Sequence, residues 1–339
     1  MCKTVSVIVP IYNREKILAE CLGNLVNQTL KGMELILVND GSTDHSLQVM
    51  RECERQFPEL VRVIEAEQNL GPGGARNLGI EAAVGTYIGF VDCDDLPEIA
   101  MYEKLYQKAQ EGGYDVVDCG YYRQEGDYSI LHTADNLIGT LDCKKREELI
   151  VSGGYLFSKL YKRDLFEDPK LRFRQNVILE DADFLTYLFS VIDSIGSVKE
   201  VLYMYRNQPD SASKIVRTEK YYYNICEAMR AIFEKEHTLP YYEQIRDSVE
   251  YELLQMYSYG VNICVQAYLR QEPVDALKLL SQIADLKRWT VRGDYGSRYV
   301  KDKIAPMDIQ LMQWNDESQK LLLERVRQIE EEVRRERHE

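Results

Sequence analysis

Apolar and polar positions alternate in blocks over the first 120 residues. Residues 5–10 (VSVIVP) form a β-branched run, the pattern of a strand covered on both faces. Residues 15–27 then place Ile17, Leu18, Cys21, Leu22, Leu25 and Val26 at helical spacing, and Asn13 stands where an N-cap is expected. A second strand over 34–38 (ELILV) ends at Asn39-Asp40-Gly41-Ser42, with Thr43 or Asp44 placed to cap a helix reaching residue 56. A third strand covers 61–64. The Gly-rich stretch 69–74 opens a helix that runs to Ala83, and a fourth strand over 87–91 runs into Asp92-Cys93-Asp94-Asp95. A helix over 97–110 and a strand over 115–122 follow.

Strands alternating with helices predict βαβ units and an α/β fold with a mostly parallel sheet flanked by helices. Such sheets bind ligands at the carboxyl ends of their strands. The polar clusters 10–13, 39–44, 69–77 and 92–95 all fall at strand ends, which marks one edge of the sheet as a site.

The pattern then loosens. Residues 123–140 read as a hairpin or excursion, 144–151 as a helix, 155–161 as a strand or turn. A helix is expected over 181–191 with Glu180 just before it, a strand over 198–205 and a polar loop over 206–214. From Glu219 onward the chain reads as helical, with tyrosines concentrated at 221–223, 241–242 and 251–259. Core packing is the favoured reading of these tyrosines, and an acceptor platform the alternative. Leu322, Val326, Ile329 and Val333 give 318–333 the 4-3-4 spacing of a docking or coiled-coil-like helix. Two regions are therefore expected: an α/β domain over 1–215 and a helical region over 216–339 that serves acceptor binding or homodimerisation.

Composition narrows the function. The chain has 339 residues, 45 % of them apolar, and its 42 Lys+Arg against 56 Asp+Glu leave a net charge of −14. That balance argues against a nucleic-acid partner, which needs a basic surface. Eight cysteines show no CxxC pair and read as small buried hydrophobes in a reducing cytosol. Residues 1–4 carry no signal-peptide pattern and no apolar run reaches 18 residues, so the expectation is a cytoplasmic protein with no transmembrane segment and at most peripheral membrane contact.

Asp92 and Asp94, spaced i, i+2 after a strand, can share a hard cation; Mg²⁺ and Mn²⁺ favour a few carboxylates completed by phosphate oxygens and water. Alone, such a pair also fits a solvated turn. Asp40 can accept from a base N–H, with Gly41 permitting close approach, although this stretch also reads as a turn and helix cap. The Gly-rich turn before Arg76 and Asn77 can present backbone N–H groups to phosphate. It matches neither GxGxxG after the first strand nor a P-loop, which argues against a dehydrogenase or a Walker-type ATPase. Arg76 fits a diphosphate contact or a structural ion pair equally.

Taken in order, VSVIVPIYNRE, Gln28-Thr29, ELILVNDGSTD and NLGPGGARNLGIEAAVGTYIGFVDCDD resemble the family 2 inverting glycosyltransferases of GT-A fold. The resemblance is dense over the first 100 residues and looser to 215, through SKLYKRDLF, VILEDADF and LYMYR. It implies a Rossmann-like nucleotide-diphospho-sugar transferase fold. Pro10, Tyr12, Asn13 and Glu15 would line a nucleotide pocket, Asp40 and Gly41 would meet the base, usually uracil, and Asn69, Arg76, Asn77 and Asp92 would hold the donor. Asp94, with Asp92, would bind Mn²⁺ or Mg²⁺. Glu180-Asp181 matches the ED motif, with Asp181 as general base. Burial and the neighbouring Glu180 and Asp183 would lift its pKa against the helix dipole.

The implied reaction moves a sugar from a nucleotide-diphosphate donor to a carbohydrate or lipid-linked acceptor in surface-polysaccharide synthesis. Two departures matter: Asn39 stands where many relatives carry Asp, and no QxxRW occurs, which points to non-processive transfer. His237 is a candidate third metal ligand, and Lys214 with Arg217 a candidate lid over the diphosphate. A nucleotidyltransferase and a non-catalytic sugar-nucleotide-binding protein stay open as alternatives.

Overall fold

A computed structural model describes residues 3–131, 133–206, 219–293 and 297–300, with Leu321 and Glu324. The chain divides into two compact units, Met1–Ile215 and Val216–Glu339.

The first unit opens with β1 (Val5–Ile11), α1 (Leu18–Val26), β2 (Met33–Asn39), α2 (Ser46–Gln56), β3 (Val61–Glu65), α3 (Gly71–Ala82) and β4 (Tyr87–Phe90). It continues with β5 (Leu96–Pro97), α4 (Met101–Gly112), β6 (Val116–Arg123), β7 (Tyr128–Ile130), β8 (Gly139–Thr140), α5 (Cys143–Ser152), β9 (Lys159–Lys162), α6 (Glu180–Val191) and β10 (Ser194–Tyr205). The strands form one sheet in the order β3-β2-β1-β4-β9-β6-β10-β5, with β7 beside β6 and β8 beside β10.

Pairing is parallel from β3 through β2 and β1 to β4, and again between β6 and β10. The sheet is mixed because β9 enters antiparallel to both β4 and β6. Two antiparallel steps restore direction, so β1, β2, β3, β4, β6 and β10 all point the same way. Their carboxyl ends share one edge.

Alternation along the strands sorts the two faces. Val5, Val7, Val9 and Ile11 share a buried cluster with Leu35 and Leu37, Leu18, Cys21, Leu22 and Leu25 of α1, and Met101, Tyr102 and Leu105 of α4. Ile8 turns to the other face and meets α3, where a Cβ on Gly79 would lie 2.3 Å from Ile8 Cγ2. On that face Phe90 packs edge-on against Tyr161, Phe166 and Phe173, and Phe173 stacks on Phe184 of α6 at 4.3 Å. At the opposite edge a buried polar knot fixes β1, β2 and the turn before β4. Ser6 Oγ donates to Glu34, and Glu34 Oε1 and Ser6 Oγ accept the backbone N–H groups of Val84 (2.9 Å) and Gly85 (2.8 Å).

Asn13 is not a helix cap. It adopts φ 52° and its side-chain oxygen accepts from Thr43 N at 2.8 Å, so it ties the β1 end to the β2 loop. Helix α1 starts later, after Ile17, with no side-chain cap. Asp44 does take a first-turn N–H of α2, that of Ser46 at 2.9 Å.

In the second unit, α7 (Glu219–Glu236), α8 (Tyr242–Leu269) and α9 (Ala276–Thr290) pack on one another. Tyr222, Tyr242, Tyr251 and Tyr257 are buried there. Glu250, fully buried, is matched by Arg246 at 2.8 Å and Arg292 at 2.9 Å. Apart from Leu321 and Glu324, the amphipathic stretch 318–333 lies outside the described residues. Among the described residues the seven cysteines are free, and no helix is long and apolar enough to cross a membrane.

Gly79→Ala should overpack α3 against the β-branched Ile8 and lower unfolding stability by about 1–3 kcal/mol, read by denaturant titration; an unchanged midpoint would refute this close approach.

Candidate functional site

The β1 and β2 ends form a tightly bonded corner. Asn13 N donates to Ser42 Oγ at 3.1 Å and Glu15 N to Asp44 Oδ2 at 3.1 Å, while Glu15 Oε2 accepts from His45 N at 2.9 Å. Glu15 is thereby committed to holding the second loop. Pro10 is part-buried in β1, and Tyr12 beyond it is 45 % exposed. Asp40 follows β2 and is buried; its Oδ1 accepts from Leu70 N at 2.7 Å, at the mouth of α3. Burial lifts its carboxyl to about 6, against the pull of that backbone N–H. Gly41 takes φ +71°, and a Cβ there would press on Asn69 N at 3.0 Å. Asn69 Nδ2 donates to the Asp40 carbonyl at 3.0 Å, closing the corner.

Arg76, on α3, joins the next two parts of the site. Its Nη2 donates to Asp92 Oδ1 at 2.8 Å and its Nη1 to Glu180 Oε1 at 2.6 Å. The guanidinium is 7 % exposed and lies 5.6 Å from the Phe173 ring centre. Of the two roles open to Arg76 in sequence, the ion pair is what the structure contains. Asn77 is engaged elsewhere: its Nδ2 donates to the Phe173 carbonyl at 2.8 Å and its Oδ1 accepts from Phe173 N at 3.0 Å. Both ends of its amide pin the 173 backbone.

Asp94 is part-buried. Burial first, and the charge of Asp92 second, raise its carboxyl above the usual range, while Arg14 and Arg206 oppose them. Asp95 is buried and accepts from Tyr203 Oη at 2.9 Å and Arg206 N at 2.8 Å. Crowded carboxylates of this kind are relieved by a cation, and their oxygens suit a hard divalent one. Among the described residues no three His, Cys, Asp or Glu side chains converge as a metal site. Asp92 and Asp94 therefore fit a cation that completes its shell with phosphate oxygens and water. His237 lies in the helical unit, with its Nδ1 2.8 Å from the Phe233 carbonyl. Lys214 and Arg217 lie outside the described residues.

Helix α6 begins at Glu180, one residue earlier than its pattern suggests, after Leu179 at φ 60°. Asp181 is half-buried in its first turn, and its carboxyl is lifted to about 6 by burial, then by the charge of Glu180 and, more weakly, Asp92; Arg76 opposes. Asp183 is turned away from Asp181. It is fully buried and paired with Arg174 Nε at 2.7 Å, whose Nη2 also donates to the Leu179 carbonyl at 2.7 Å. Sequence reasoning did not single out Arg174, Tyr203 or Arg206. Arg206 donates from Nε to the Asp94 carbonyl at 2.6 Å and from Nη1 to Glu20 at 2.6 Å. Its place at the end of LYMYR, directly after β10, was the available signal.

Arg76→Met would leave Asp92 and Glu180 without their shared cation. The loss should be roughly 3–5 kcal/mol near neutral pH. Denaturant titration reads this loss; an unchanged midpoint in the variant would contradict the buried ion pair.

The chain matches the Glycosyl transferase family 2 model over residues 6–168. The uncharacterised glycosyltransferase EpsJ of Bacillus subtilis is 37 % identical over 224 residues, 63 % of this chain and 64 % of that protein. Glycosyltransferase GlyG of Streptococcus pneumoniae is 32 % identical over 235 residues, 65 % of this chain and 75 % of GlyG. The matched region thus spans just under two thirds of EpsJ. Among solved structures, TarS 1-349 of S. aureus in complex with UDP-GlcNAc superposes with a TM-score of 0.70 at 21 % identity, over 94 % of this chain and 92 % of that one. The mannosyltransferase PcManGT of Pyrobaculum calidifontis, in complex with GDP-Man and Mn²⁺, reaches a TM-score of 0.51 at 17 % identity. These structures share the mostly parallel sheet with flanking helices, and together with the GlyG match and the family model over the strand-end motifs they establish that the chain belongs to the family 2 glycosyltransferases.

Proposed function

We propose that the protein transfers a sugar, with inversion, from a UDP-sugar to an acceptor hydroxyl in surface-polysaccharide synthesis, one or a few units at a time. The carrying observation is the convergence of Asp92, Arg76 and Glu180-Asp181 at the shared strand edge, beside the corner built by Asn13, Asp40 and Asn69. The nucleotide would lie on the β1–β2 corner. Asp40, when ionised, accepts the base N–H, and the glycine at 41 leaves room for it. Pro10 and Tyr12 would border the nucleotide, while Glu15, Asn13 and Asn69 act through the loops they hold. The choice of UDP rests on the family pattern and on the likeness to a TarS structure holding UDP-GlcNAc.

In the reaction the acceptor O–H gives its proton to a carboxylate oxygen of Asp181 as its oxygen bonds to the anomeric carbon. The bond from that carbon to the diphosphate breaks on the opposite face, and the leaving UDP keeps the electron pair. A base lifted to about 6 is mostly ionised at neutral pH, yet basic enough to accept the proton. Glu180, bonded to Arg76, positions and tunes Asp181 and does not itself meet substrate. A Mn²⁺ or Mg²⁺ held by Asp94 and Asp92 would neutralise charge on the departing diphosphate.

Thermal stability against nucleoside diphosphates and nucleotide sugars tests the donor site. UDP at 100 times its dissociation constant should add about 2.7 kcal/mol. With Asp94→Ala the Mn²⁺-dependent part should vanish. No shift with any nucleotide, or an Mn²⁺ response untouched in the variant, overturns this assignment.

Asp181→Asn should abolish transfer while UDP still binds. The raised carboxyl opposes folding at neutral pH, because the folded chain holds the proton more tightly than the unfolded one; the amide removes that penalty. Melting should therefore rise at pH 7, by roughly 2–4 °C per kcal/mol relieved. In the native enzyme kcat/KM should climb as pH rises through about 6. Full transfer by the Asn variant refutes the base.

A further inference from the structure

Beyond the acid edge, on the β6–β10 side of the sheet, a ladder of aromatic rings runs outward from the core. Phe157 stacks on Tyr203 at 4.3 Å and 13° and on Tyr205 at 5.5 Å and 16°, and Tyr155 stacks on Phe157 at 5.1 Å and 21°. Tyr121 meets Tyr155 edge-on at 4.9 Å. Phe157, Tyr203 and Tyr121 are buried, and core packing accounts for them. The outer pair packs on that core from its rim: Tyr155 and Tyr205, 6.1 Å apart, are only part-buried and keep some surface exposed. Arg123, at the end of β6, places its guanidinium 5.7 Å from the Tyr205 ring centre. Its Nη1 and Nη2 reach Tyr128 and Glu125 on the neighbouring hairpin, while its buried Nε has no hydrogen-bond partner among the described residues.

The ladder is anchored to the acids. Tyr203 donates to Asp95 at 2.9 Å, and Arg206, the residue after Tyr205, donates to the Asp94 carbonyl at 2.6 Å. The rings therefore border the acid cluster from the side away from the β1–β2 corner. A ring face beside planar hydrogen-bonding groups has the two features a pyranose needs. Its C–H face packs on an electron-rich ring, and its hydroxyl rim bonds charged, fixed donors and acceptors. An alkyl chain would use the ring faces and offer nothing to the unpartnered Nε of Arg123.

We propose that Tyr155 and Tyr205, with Arg123, form the acceptor subsite and that it takes a sugar ring, so that the group accepting the transferred sugar is itself a carbohydrate. This rests on the sugar-transfer reading above. It assigns a role to three residues that neither the Asp-x-Asp nor the ED motif contains. The other acceptor class, a lipid-borne alcohol met through its chain, would need an apolar lining in place of Arg123.

The test uses the full chain with UDP and Mn²⁺ and, as probes, methyl β-glucoside, methyl β-galactoside, methyl β-N-acetylglucosaminide and 1-octanol. Saturation-transfer NMR reads the binding of each probe, and the UDP thermal shift is read in parallel. The expected result is saturation transfer to ring C–H protons of at least one glycoside, reduced at least five-fold by Tyr155→Leu and by Tyr205→Leu, with the UDP shift unchanged. Arg123→Gln, at a residue nearer the surface, should weaken the same signal and covers the case in which a tyrosine variant misfolds. A glycoside signal that survives all three substitutions, or a signal from octanol alone, overturns the subsite. A wild-type chain with no UDP shift removes the sugar-transfer reading instead, and a glycoside signal abolished by the substitutions would then still uphold a sugar-binding platform.

Discussion

The site depends on one buried cation. Arg76 sits on α3 and reaches both Asp92, after β4, and Glu180, opening α6. Without it, two segments distant in sequence would bring like charges together, a cost of several kcal/mol for a buried ion left unpaired. With it, their repulsion becomes a tie. The backbone is built to permit this approach. A Cβ on Gly73 would lie 2.2 Å from the Arg174 carbonyl, so α3 comes this close to the 173–180 segment only because glycine stands there. Asn77, one residue past Arg76, then locks the segment through Phe173.

The acids beyond Arg76 remain under strain of charge. Asp94 and Asp181 are raised in proton affinity, as is Asp40, chiefly by burial. Each would be easier to keep in water. A fold that holds several carboxyls in this condition has accepted lower stability at neutral pH, which is intelligible where the carboxyls act on a ligand and wasteful elsewhere.

Much of this was legible in sequence because strand ends announce themselves. Hydrophobic runs ending at Pro10, Asn39 and Val91 placed the polar clusters on one edge, and the structure puts the corresponding carboxyl ends together. What sequence could not supply was which polar group meets which. Asn13 reads as a cap by residue type, yet its positive φ sends the side chain across to Thr43. Asp183 reads as a neighbour of Asp181 by number, but helical geometry turns it into the interior toward Arg174. Asn77 offers two ordinary amide groups, and only the fold shows that Phe173 takes both. The direction of β9 was equally hidden, since four residues, Lys159–Lys162, carry no signal that separates parallel from antiparallel pairing.

That short strand sets an order on the chain's assembly. β1 to β4 can pair among themselves as soon as residue 90 exists. Among the described residues, β6, complete at residue 123, has no hydrogen-bonded route to β4 except through β9, which is made 36 residues later. The half of the sheet carrying Asp40 and Asp92 can thus form while the half carrying Arg123 is still waiting for its bridge. On a ribosome, the half proposed to hold the nucleotide can form first, and the aromatic half joins it only when Lys159–Lys162 closes the gap.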